Sequence, residues 1–158
     1  MDRTEYRKKL GNLLSDQALC AENLLTTLKD EREALTNRNA EALKQATDHK
    51  NLFILELEKL ETERSVLQRQ SEQTQASFKD FLGWCDPKHQ LEQQWADLLI
   101  LVEDCKKANE TNGAMLKTQE QQVNTVLSIL CGIPQDQTVY DASGNKRQDD
   151  PGRPLAKA

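Results

Sequence analysis

Between Leu91 and Leu130 the chain returns to one helical seam at alternating steps of four and three residues. The seam reads Leu91, Trp95, Leu98, Val102, Cys105, Asn109, Asn112, Leu116, Gln119, Val123, Val126 and Leu130. Steps averaging about 3.5 residues hold a stripe on one face of a helix that leans against other helices. The stripe is apolar at both ends and polar in the middle, where Asn109, Asn112 and Gln119 replace hydrophobes. Such a stripe makes a surface for holding helices. It does not make a catalytic pocket.

Two further long helices are legible upstream. The first is expected from about Asp2 to Leu35, with overlapping seams Tyr6/Leu10/Leu13/Leu24 and Leu14/Ala18/Ala21/Leu25/Leu28/Leu35. Two adjacent seams give a face broad enough to touch two neighbours. Thr36-Asn37-Arg38-Asn39 supplies a turn, with Asn39 as N-cap and Glu41 in the favourable first turn of the next helix. That second helix, about Ala40 to Gln73, carries the seam Leu43, Ala46, Lys50, Phe53, Leu57, Leu60, Arg64, Leu67. Lys50 and Arg64 are expected to snorkel from the edge of this seam. So short a connection forces an antiparallel hairpin.

Phe78, Phe81, Leu82 and Trp84 suggest a short helical turn closing the bundle end, before Asp86-Pro87 introduces the third long helix at about His89. That helix should run to Cys131, where Gly132-Ile133-Pro134 stops it. The fold class is therefore all-α: an antiparallel three-helix bundle or coiled coil over residues 1–132. Residues 133–158, rich in Asp, Gln, Pro and Gly, have too few apolar side chains to fold alone and read as an extended or disordered tail.

Composition agrees with this reading. Of 158 residues, 30% are charged and only 4% aromatic, a mix suited to long amphipathic helices and poor in strand formers. The net charge of −5, without a concentrated basic face, argues against a nucleic-acid partner. No apolar run approaches the ~20 residues of a membrane span, and MDRTEYRKK is followed by no signal-peptide core, so a cytoplasmic location without stable membrane insertion is expected. Cys20, Cys85, Cys105 and Cys131 are scattered without a CxxC pair and read as reduced packing residues.

The residues that carry chemistry form no constellation. His49 and His89 stand forty residues apart on polar faces, with no ligand set around either. No glycine-rich phosphate loop and no nucleophile elbow is present, so no enzyme activity and no cofactor is expected.

At about 1.5 Å per residue the first two helices reach roughly 50 Å and the third roughly 65 Å. If all three start level, the last turns of the third, with Val123, Val126, Leu127, Leu130 and Cys131, have no partner. They then form either an open binding surface or, if the helix bends at Gly113, a face the chain covers itself. Asn109, Asn112 and Gln119 likewise admit two readings: buried amides that fix register, or amides awaiting a partner's hydrogen bonds. Tyr140 is either an anchor for a partner pocket or a residue packed back on the bundle.

The chain resembles the FlgN family of bacterial flagellar export chaperones. The resemblance rests on three long helices in a short acidic protein and on Asn-x-x-Asn-Gly-x-Met-Leu at residues 109–116. The helix end at Leu130-Cys131-Gly132 and Thr-Val-Tyr-Asp-Ala-Ser-Gly at 138–144 also fit. It implies a cytoplasmic chaperone binding the helical C-terminal segments of the first and third flagellar hook-associated proteins. It also implies delivery of that cargo to the membrane export gate of the flagellar type III system. The implied client-binding residues are Leu116, Val123, Val126, Leu127 and Leu130, and the implied gate-docking residue is Tyr140. The competing class is a structural or adaptor coiled coil, homodimeric through its own seams.

Overall fold

Asp2 starts the first helix by a reciprocal capping arrangement. Its carboxylate accepts from the Glu5 N–H at 2.8 Å while Glu5 accepts from the Asp2 N–H at 3.0 Å. In this computed structural model, which describes residues 1–71 and 77–130 with side chains to position 126, α1 then runs Arg3–Thr36. The turn places Arg38 at φ 53° and returns the Asn39 N–H to the Ala34 carbonyl at 2.9 Å. Asn39 caps α2 (Ala40–Arg69), its side chain accepting from the Ala42 N–H at 3.1 Å. Ser77 and Asp80 form a second capping box for α3 (Phe78–Cys85). The longest helix, α4, spans Glu92–Leu130. Among the described residues there is no strand.

The chain divides into two compact units, Met1–Lys117 and Thr118–Ala158. In the first, α1 and α2 are antiparallel: Tyr6 donates to the Gln70 carbonyl at 2.5 Å, Gln17 to Glu61 at 3.3 Å, and Lys50 meets Glu31 at 2.5 Å. The α4 segment of this unit runs parallel to α1 at a constant sequence offset. The Cys105 thiol donates to the Ala21 carbonyl and the Asn112 amide to the Leu28 carbonyl, each pair 84 positions apart. Gly11 permits close approach at the lower end, since a Cβ there would stand 3.3 Å from the Leu91 side chain.

The core is thickest at the α3 end. Tyr6, Leu10, Leu14, Leu67, Phe81, Cys85 and Leu98 are buried there, with Phe78, Trp84 and Trp95 packed against them. Tyr6 meets Trp84 edge-on at 5.5 Å and Phe78 meets Trp95 tilted at 4.5 Å between centroids, while Phe81 stacks on Trp84 at 6.1 Å. The chain start is fastened to the same end. Arg3 donates to the Trp84 carbonyl, and Arg7 pairs with buried Asp86 at 3.2 Å. Asp86 in turn accepts the Leu91 N–H at 2.6 Å, holding the entry to α4. A smaller cluster of Leu24, Leu28 and Cys105, with Phe53 and Leu57 against it, continues along the bundle.

Two expectations need correction. Arg64 does not snorkel: its guanidinium lies 3.8 Å from the Phe78 ring centroid and 5.2 Å from that of Trp95, while pairing with Glu61. Stacking on two rings in a partly dehydrated site outweighs the hydration it gives up. Lys50 likewise turns inward, because Glu31, almost fully buried on α1, supplies a counter-charge.

Candidate functional site

The seam expected along α4 packs at Leu91, Trp95, Leu98, Cys105 and Asn112, but its positions 102, 109 and 116 give way to the residues just before them. Leu91, Leu98, Cys105 and Asn112 are buried, with Leu101 and Ala108 half-buried beside them. Val102, Asn109 and Leu116 are exposed. The packed face thus steps 98, 101, 105, 108, 112, by threes and fours in the opposite phase. Both phases are helical; the position of α1 decides between them. Leu99, Ile100 and Val102 accordingly face solvent, and Leu116 is 42% exposed.

Asn112 closes a polar network across three helices. Its amide donates to the Leu28 carbonyl and to Glu31 Oε2, both at 2.8 Å, and its oxygen accepts from Arg32 Nε at 3.1 Å. The other Glu31 oxygen receives Lys50 from α2. A buried amide with both N–H groups and its oxygen engaged fixes the alignment of α1, α2 and α4 and has no donor left to offer a guest. Of the three seam amides only Asn112 is buried; Asn109 is exposed and Gln119 half-buried.

In the second unit, Val123 and Val126 are neighbours on one face of α4, 57% and 53% exposed. Leu127 and Leu130 lie in α4 with their side chains outside the described residues, and Tyr140 and Cys131 lie outside them altogether. The exposed Leu19, Leu52 and Leu55 on α1 and α2 were not anticipated as surface residues. Glu31 was also missed, although Leu10, Gln17, Leu24 and Glu31 fall seven residues apart and mark a polar pair on a packing line.

The reactive groups are structural. Cys20, Cys85 and Cys105 are free and buried. Burial pushes all three thiols up, Cys85 to about 11, with Glu56 adding to the rise at Cys20 and Asp104 at Cys105. Among the described residues no three His, Cys, Asp or Glu side chains gather in a metal-binding group, and no helix is long and apolar enough to cross a membrane.

Exposed aliphatic side chains on long helices, above an interior braced by the Asn112–Glu31–Lys50 network, define a helical binding protein. The chain belongs to the FlgN family: the family model described as FlgN protein matches residues 1–148, a span that includes all four helices and Tyr140. No curated protein and no solved structure matches the chain. Membership makes it a flagellar export chaperone, of a family whose work is binding and not catalysis.

Proposed function

We propose that this chaperone holds the helical C-terminal segments of the first and third flagellar hook-associated proteins on the aliphatic end of α4. Leu116, Val123, Val126, Leu127 and Leu130 form the binding strip. Binding there keeps cargo from assembling early in the cytoplasm, and Tyr140 then presents the loaded chaperone to the membrane export gate. The observation that carries the reading is the exposure of Val123 and Val126, two aliphatic neighbours on one helical face. Covering several such side chains at ~1.5–3 kcal/mol each, less the cost of association, gives tight but reversible capture without nucleotide hydrolysis.

The test is calorimetry with a synthetic peptide spanning the C-terminal helical segment of the first hook-associated protein. Val123→Asp with Val126→Asp should weaken binding by roughly a hundredfold, two lost aliphatic contacts plus two buried charges, while helicity stays intact. Unchanged affinity would move the client elsewhere. A mass that doubles with concentration, with residues 123–126 protected in the dimer, would favour a self-pairing coiled coil.

A further inference from the structure

On the α1–α2 hairpin, two consecutive concavities of about 380 and 280 Å³ are lined by α1 and α2 alone. They follow α1 from Lys9 to Asn23, about 21 Å or four helical turns at 1.5 Å per residue. Leu13, Phe53, Leu60 and Val66 contribute apolar surface, and Leu19 stands 59% exposed at the edge. A seam between two antiparallel helices accepts the ridge of a third. Asp16, Glu56 and Glu63 line the two concavities together with Lys9. Glu56 has only an exposed pairing with Lys59 at 3.4 Å, and no ion pair engages Asp16 or Glu63 among the described residues.

From this apolar floor and the two carboxylates, Asp16 and Glu63, that no ion pair engages on its rim, we infer a second docking surface on the α1–α2 face, separate from the α4 strip. Its occupant is an amphipathic helix of another protein, about four turns long, with Lys or Arg flanking an aliphatic stripe. Charge selects this occupant. A second copy of this chain would bring net −5 against an acidic rim. The chain's own segment 133–158 carries only Ile133, Val139, Tyr140 and Leu155 as large apolar residues, at spacings that make no helical stripe.

The experiment measures fluorescence anisotropy of a labelled peptide of about five turns, leucines at helical spacing flanked by lysines, titrated with the full chain. Binding should weaken at least tenfold when the lysines are replaced by glutamates, and at least tenfold with Asp16→Lys/Glu63→Lys. Leu19→Ser, at an exposed position, should also weaken it, whereas Val123→Asp/Val126→Asp should leave it unchanged. Hydrogen exchange should slow in residues 12–23 and 53–66 on peptide addition. Binding insensitive to Asp16→Lys/Glu63→Lys, or lost with Val123→Asp/Val126→Asp, would overturn the inference. So would a concentration-dependent dimer with the same residues protected, because a second copy would then fill the groove.

Discussion

Asn112 on α4 donates to Glu31 on α1 at 2.8 Å, and both side chains are buried. This bond joins α4 to an acidic residue eighty-one positions earlier, and through Lys50 to the remaining long helix. Replacing Asn112 by Leu should cost about 1–3 kcal/mol, because the Leu28 carbonyl and one Glu31 oxygen lose their donor in a dry site. Asn112→Asp should cost more, since a second carboxylate would face Glu31. Urea unfolding followed by circular dichroism measures both; equal stability of wild type and Asn112→Asp would show that the network does not fix register.

Gly113 follows directly, and a Cβ built there meets nothing within 4 Å. No packing demands glycine at this place. Gly113→Ala should therefore raise stability by about 1 kcal/mol through helix propensity alone. A thermal melt of the variant checks it, and a fall in the midpoint would reveal a bend that alanine resists.

Arg64 over Phe78 and Trp95 forms a charged lid on the aromatic end. Arg64→Met keeps the apolar stem and removes the cation, and should lose about 1–2 kcal/mol with a change in tryptophan emission. An unchanged urea midpoint would mark the stacking as energetically idle.

Cys85 gives a pH signature. Its thiol is held up at about 11 by burial, against 9.0 for a free group. Because the folded value is the higher one, its stabilising effect is complete below pH 9 and declines as pH rises towards 11, where the unfolded chain ionises first. Cys85→Ala should remove that part of the alkaline decline, measured as urea midpoints at successive pH values.

Tyr140→Ala should spare the calorimetric affinity for the client peptide and reduce secretion of that client several-fold in flagellated cells. Equal loss of both would give Tyr140 a structural place instead of a docking one.

The helical order was legible because its signals are local. Asn39 caps α2 as its position suggests, and the aromatic segment around Phe81 forms the expected short helix. The phase of the α4 seam was not legible, because Val102/Asn109 and Leu101/Ala108 both continue the spacing from Leu98. Only the placement of α1 turns the second set, half-buried, towards the bundle. Lys50 and Arg64 were misjudged for a related reason: the groups that draw them inward, Glu31 and the Phe78/Trp95 rings, lie far away in the chain. Of the candidate site, the aliphatic character of Val123 and Val126 is written in the residues, but their exposure required coordinates.

The fastening of Arg3 and Arg7 to Trp84 and Asp86 has a practical corollary for anyone labelling this chaperone. A fluorophore or purification handle placed ahead of Met1 will emerge beside the aromatic cap, and its bulk will press on the guanidinium clasp. Such a probe will report on the integrity of that cap. It will be blind to events near Asn112, roughly 30 Å away for a span of some twenty α4 residues.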